Sequence, residues 1–236
     1  MAWRRWRDVM FRTPTFFPSA FCGGSCTRHE LSELTRLAAP VRFGGGQTIF
    51  SEGERAESSF GLSRGVVRLY KLLPDGRRQV VAFTLPGDFL AIPLANRFNF
   101  SADAIGDVNV SRFPREKLKR LILSSPNLQR LLIEFATREM HAAQNQLSLL
   151  GNGSAEEKVA IFLVNWRNRL ARSATNSQPV PLPMRRQDIA DFLGLKLETV
   201  SRTLAKLEEK DVIRLLPKGV LLTGLERASL ITGRSF

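Results

Sequence analysis

Arg202 and Glu198 stand four residues apart in Leu197-Glu198-Thr199-Val200-Ser201-Arg202, with two hydroxyl groups between them. On a helix such a pair shares one face. Arginine can donate to N7 and O6 of guanine together, glutamate can accept from N4 of cytosine, and Ser or Thr can serve either base edge. The same spacing also suits a surface ion pair that binds nothing. The surroundings favour base contact. Val200, Leu204 and Leu207 recur at helical spacing and define a buried face, which turns Glu198, Thr199, Ser201 and Arg202 outward.

The elements that would position these groups are legible on both sides. Arg185-Arg186-Gln187-Asp188-Ile189-Ala190-Asp191-Phe192-Leu193 reads as a helix with Ile189, Ala190 and Leu193 inward, and Gly194-Leu195-Lys196 as the turn. A small residue at closest helix approach, a glycine at the turn and a buried valine make the spacing of a helix-turn-helix. Ile213–Leu216, Pro217-Lys218-Gly219 and Val220–Leu222 follow as a β-hairpin wing. Arg185, Arg186, Gln187, Lys196, Thr199 and Lys206 flank the reading face, and Lys218 sits at the wing tip; they suit phosphate oxygens.

The chain has 236 residues and a formal net charge of +13, a balance that favours a polyanionic partner. No apolar run is long enough to span a bilayer. The basic, aromatic start Met1-Ala2-Trp3-Arg4-Arg5-Trp6-Arg7 is not followed by a signal-length apolar stretch, so a cytoplasmic protein without a membrane partner is expected. Cys22 and Cys26 give no disulfide framework and read as two ordinary thiols, with a redox disulfide as the minor alternative. No nucleophile–base motif, phosphate loop or metal-spaced cluster points to an enzyme.

Four regions are expected. Residues 1–28 are a loosely ordered arm. Residues 29–125 are a β domain opened by a short helix over about 29–39, with glycine-punctuated apolar runs, Val81, Phe83 and Leu85 on one strand face and a turn at Pro74-Asp75-Gly76. Residues 126–152 are one long helix, opened by Ser125-Pro126 and stopped at Gly151-Asn152-Gly153. Its stripe of Leu128, Leu131, Leu132, Phe135, Met140, Leu147 and Leu150 suggests packing against a second copy. Residues 153–236 are the winged helix-turn-helix, entered through the capping box Ser154-Ala155-Glu156-Glu157, with Arg172–Pro183 as a surface loop.

From about His29 to Thr223 the chain resembles the CRP/FNR superfamily of transcription regulators. The resemblance rests on Gly44-Gly45-Gly46-Gln47-Thr48-Ile49-Phe50-Ser51-Glu52-Gly53, Leu85-Pro86-Gly87-Asp88, Ala155-Glu156-Glu157-Lys158-Val159-Ala160, Asp188–Leu195 and Glu198-Thr199-Val200-Ser201-Arg202. It implies an α+β chain: an N-terminal double-stranded β-roll, a cyclic-nucleotide-binding-like jelly roll, then a long dimerisation helix and a C-terminal winged helix-turn-helix. It further implies a homodimer on palindromic double-stranded DNA and RNA polymerase as partner, with the Leu72–Arg78 hairpin facing it. Glu198, Ser201 and Arg202 match the FNR/FixK branch. The cyclic-AMP receptor branch has Arg where Leu197 stands and Gly where Ser201 stands. The branch match implies TTGAT-type half-sites, with Leu197 against a thymine methyl.

Three effectors can be weighed against the roll. The family's nucleotide-binding Gly-Glu-Leu and Arg-Ser read here Gly87-Asp88-Phe89 and Phe100-Ser101, with Arg97 out of register, and a buried phosphate would lack its counter-ion. Cys22 and Cys26 are half the ligand set of an iron–sulfur cluster. His29 and His141, the two histidines, give no argument for haem. A FixK-like roll without cofactor is therefore expected, with redox or oxygen sensing at Cys22 and Cys26 as the alternative.

Overall fold

The computed structural model describes residues 21–22, 25–91, 96–173 and 179–224. Most of the arm expected over 1–28, its basic, aromatic start included, lies outside the described residues, as do 174–178 of the expected Arg172–Pro183 loop. Helix α1 (Arg28–Leu37) leads into strands β1 (Ala39–Phe43), β2 (Thr48–Phe50), β3 (Ser58–Leu72), β4 (Arg78–Thr84) and β5 (Ser101–Pro114). The sheet is antiparallel in the order β1-β5-β3-β4, with β2 also on β5. β3 and β5 are long enough to belong to both halves of a roll, and register shifts around Arg64 let them bend.

Gly65 makes that bend possible. Its φ is +89°, and a Cβ there would stand 2.6 Å from the Asp107 carbonyl oxygen. Strain and clash coincide, so Gly65→Ala should cost about 2–3 kcal/mol of unfolding free energy. Urea titration followed by circular dichroism checks this; a cost below about 0.5 kcal/mol, the level of an indifferent surface change, is the contrary result.

One strand expectation is corrected. The register of β4 on β3 shifts between Ala82 and Val80, skipping Val81. Val81 is exposed and Val80 is buried beside Phe83 and Leu85. A bulge reverses the alternation that a period of two extrapolates. The turn at Pro74-Asp75-Gly76 forms as read, with Leu73 and Arg77 paired across it.

Helix α2 (Arg115–Ser124) is followed directly by α3 (Pro126–Asn152), 27 residues long. Ser125 caps α3, its hydroxyl accepting from the Leu128 amide, and Pro126 occupies the first turn. Leu128, Leu131, Leu132 and Phe135 are buried with Leu34, Phe89, Leu118 and Ile122 of the same chain. That burial removes these four from the face open to a second copy and corrects the single stripe read from the sequence. Among the described side chains of α3, the large exposed apolar ones are Ile133 (66 %), Met140 (53 %) and Leu147 (70 %), seven apart, with Leu150 half-buried.

The two cysteines are not loose thiols. Cys22 and Cys26 form a disulfide, Cys22 is buried in the α1–α2–α3 cluster, and the Phe21 ring meets Phe89 edge-on at 4.9 Å. The chain is thus packed against the core before α1 begins. His29 and His141 are both exposed, on α1 and α3.

Candidate nucleic-acid interface

Helix α4 (Ala155–Ser173) starts with the expected capping box: Ser154 and Glu157 exchange backbone-to-side-chain bonds of 2.6 and 3.2 Å. Helices α5 (Arg186–Leu193) and α6 (Leu197–Glu209) follow, joined through Gly194 in the left-handed conformation. A three-stranded sheet closes the domain: β6 (Val180–Pro181), β8 (Gly219–Leu222) and β7 (Ile213–Leu216), in that order. The short strand β6 was hidden in a polar stretch read as loop. Trp166 donates to the Pro181 carbonyl at 2.8 Å and pins it.

Ile189, Ala190, Leu193, Val200, Leu204 and Leu207 are all buried, as their spacing requires. Thr203 joins them, at one more position on the same helical face. Opposite, Leu197, Glu198 and Arg202 are exposed, and Thr199 and Ser201 are half-buried. Among the described residues no ion pair joins Glu198 to Arg202, so the bland use of that spacing is not taken up. The first two turns of α6 carry these groups on a free face, with amides at its N-terminus that favour anions.

The flanking cations divide. Arg185, Arg186, Lys196 and Lys218 are exposed around the reading face. Gln187 is engaged with Asp191 at 2.6 Å. Lys206 lies 3.3 Å from Glu156, which Lys210 also meets at 2.6 Å. The Lys210 and Lys206 contacts hold the Glu156 carboxyl below the usual carboxylate range. Arg214 of the wing strand is a further exposed cation that sequence reading passed over. Its alternation with the buried Ile213 was the available signal.

The domain does not stand apart from the roll. Phe83 of β4 packs against Phe162, Trp166 and Phe192, and one core holds residues of both domains. Arg68 and Arg78 of the roll bond to Asp188 of α5, and Arg78 also to Asp191. Arg78 therefore leaves the hairpin surface read as facing a polymerase. Leu72 remains exposed there, and Arg77 is tied to Asp75 at 2.7 Å.

The groups that stand where the family's nucleotide ligands stand are otherwise employed. Asp88 accepts from the Leu85 amide at 2.9 Å and from Arg169 of α4 at 3.0 Å. Burial, with the Asp88 charge next, pushes the nearby Glu139 carboxyl up. The Ser101 hydroxyl accepts from the Glu52 amide at 3.0 Å. Phe50, Phe60 and Phe98 fill the roll, the rings of Phe50 and Phe98 stacked at 3.9 Å. Arg97 donates to the Gly53 carbonyl at 2.6 Å and lines, with Arg55, Asn96, Arg115 and Glu116, a separate open cavity of about 480 Å³.

A β-roll carrying a winged helix-turn-helix with a free, base-compatible helix face defines a DNA-binding transcription regulator. Known proteins agree. Residues 40–125 match the cyclic nucleotide-binding domain, and residues 157–231 the Crp-like helix-turn-helix domain. The chain is 55 % identical over 192 residues to the transcriptional activatory protein AadR of Rhodopseudomonas palustris, covering 81 % of this chain and 80 % of that one. It is 50 % identical to the nitrogen fixation regulation protein FixK of Bradyrhizobium diazoefficiens, covering 86 % of each. The solved structure of FixK2 from Bradyrhizobium japonicum superposes with a TM-score of 0.77 at 33 % identity, over 84 % of this chain and 99 % of that one. The chain belongs to the CRP/FNR family of transcription regulators, with FixK- and AadR-type activators among its relatives. The expectation of a non-enzyme stands with that membership. No helix among the described residues is long and apolar enough to cross a membrane.

Proposed function

We propose that the chain is a FixK-like transcription activator that reads a TTGAT-type palindrome as a homodimer, in the cytoplasm and without a nucleotide or other cofactor. The observation that carries this reading is the free face of α6, on which Glu198, Arg202 and Leu197 stand exposed over buried Val200, Leu204 and Leu207. Arg202, Glu198 and Ser201 take the base edges, and Leu197 a thymine methyl. Arg185, Arg186, Lys196, Lys218 and Thr199 take phosphates, with Lys206 and Gln187 joining by exchanging their internal partners. Ile133, Met140 and Leu147 supply the seam between copies. RNA polymerase is met through the exposed Leu72–Arg77 part of the hairpin. The engagement of Asp88 with Arg169 supports a roll that needs no nucleotide.

Gel-shift titration on a TTGAT palindrome tests this reading. Arg202→Ala should cost about 1–3 kcal/mol on the palindrome and leave non-specific binding nearly unchanged. Equal affinity of the wild type for scrambled DNA rejects sequence reading.

The disulfide supports a second reading, a redox-responsive regulator. Reduction by a cellular dithiol opens it: two electrons and two protons pass to Cys22 and Cys26, and the reductant becomes a disulfide. While the bond is closed neither sulfur can ligate iron. Thiol counting beside gel shifts, with and without dithiothreitol, tests it; DNA affinity that is the same in both forms rejects it.

A further inference from the structure

We propose that Arg68 and Arg78 of the roll are positioning residues for the DNA-reading head: their grip on Asp188 and Asp191 fixes which half-site spacing the dimer accepts. The inference rests on the dimeric, palindrome-reading function proposed above.

Asp188 is 2 % exposed, yet it carries a charge in the first turn of α5. One carboxylate oxygen accepts from Arg68 Nη1 and Arg78 Nη2, each at 2.7 Å, and the other from the Arg185 amide at 3.0 Å. A single side chain thus caps the helix and ties it to another domain. Arg78 also grips Asp191 through Nε at 2.9 Å and Nη2 at 2.7 Å. Next to it Gln79 donates to the Asp191 backbone carbonyl at 2.5 Å.

The roll end of the clamp is equally fixed. Arg68 Nη2 donates to Asp103 at 2.9 Å, and Asp103 accepts from the Thr48 hydroxyl at 2.9 Å. The Tyr70 ring lies 5.9 and 5.8 Å from the two guanidinium carbons. Contacts between aromatic rings, such as Phe83 with Phe192 at 5.4 Å, hold two bodies together but tolerate sliding. Forked charge-assisted bonds are directional, and a set of them selects one orientation. Helix α6 packs on α5, so its exposed face follows wherever the clamp sets α5.

In a two-fold dimer that orientation matters for DNA. Each inserted base pair turns the second half-site by about 35° and moves it about 3.4 Å, so a rigid head tolerates one spacing and a loose head several. Neither arginine is needed to contact DNA for this effect. The two acids, neutralised on the roll side, do not repel the phosphates that Arg185 and Arg186 approach.

The test is fluorescence anisotropy of the full chain on a series of TTGAT palindromes whose spacers differ from one to the next by one base pair. The wild type should prefer one spacer by about tenfold or more. Arg78→Ala and Asp191→Asn should bind that spacer within about fivefold of wild type but discriminate less than about threefold, with Arg78→Lys intermediate because it keeps charge and loses the fork. If the variants melt earlier yet keep the full spacing preference, the clamp is merely structural and the inference is overturned. A wild type that ignores the palindrome altogether overturns the dimeric reading and this inference together. Asp191→Asn guards against misfolding, since it leaves Asp188 and both its ion pairs in place.

Discussion

A full chain carrying Met140→Glu and Leu147→Glu is expected to sediment as a monomer and to lose about 10²–10⁴ in affinity for a complete palindrome, while binding an isolated half-site as before. The two side chains are 53 % and 70 % exposed within their own chain. With Ile133 they lie one heptad apart and span about 21 Å along α3. In the proposed dimer this row is the surface that the second copy covers. With the two α3 helices of that dimer running side by side along the two-fold axis, each residue lies near its own copy, so the double change gathers four carboxylates in one desolvated seam. Their burial without counter-charges is unfavourable by more than the seam gains. The fold of the chain itself should be untouched, because neither residue contributes to its core. Unchanged circular dichroism beside a halved mass is therefore the expected pair of observations. A dimer that survives both substitutions sinks the seam.

Helices α6 and α3 differ in how far a sequence period determines their faces. The reading head was legible because one helix in water sorts its residues by a single period. Val200, Leu204 and Leu207 could face only inward, and Glu198 and Arg202 only outward. Helix α3 carries apolar residues on two faces. Leu128, Leu131, Leu132 and Phe135 face α1 and α2, whereas Ile133, Met140 and Leu147 face away, and a one-sided reading merges them into one stripe. Ile133 was lost in that merger, although its seven-residue distance from Met140 was there to be counted.

The clamp was illegible for another reason. Nothing local tells Asp188 from a solvent-exposed first-turn acid; its partners come from 110 and 120 residues away. Val81 misled because a bulge is decided by the partner strand. The disulfide was open from spacing alone, and what sets Cys22 apart from a loose thiol is its burial beside Leu34 and Leu118, which a loop-like sequence does not announce.

Glu30→Ala should cost about 3–4 kcal/mol of stability, more than most substitutions of a charged residue. The Glu30 carboxylate is the knot between α1 and the foot of α3. It accepts from the Thr27 amide at 2.7 Å, the Thr27 hydroxyl at 2.9 Å, Asn127 Nδ2 at 2.9 Å and the Ser125 hydroxyl. Ser125 and Thr27 are themselves the N-caps of α3 and α1, so alanine loosens two helix starts and leaves the buried Ser125 donor without its acceptor. The Ser125 hydrogen bond, then those from the Thr27 amide and Asn127, hold the carboxyl at about 2, against an ordinary value of 4.5. A depressed folded value places the stabilisation above the unfolded value. It is complete above about pH 4.5 and drains away as pH falls toward about 2. Urea titrations at pH 7 and pH 3 should therefore show the wild type losing stability that Glu30→Gln never had, so the two proteins converge in acid. Parallel curves, with a constant gap between them, would assign the stability of this corner to packing around Leu34 and Phe135 instead of to the charge.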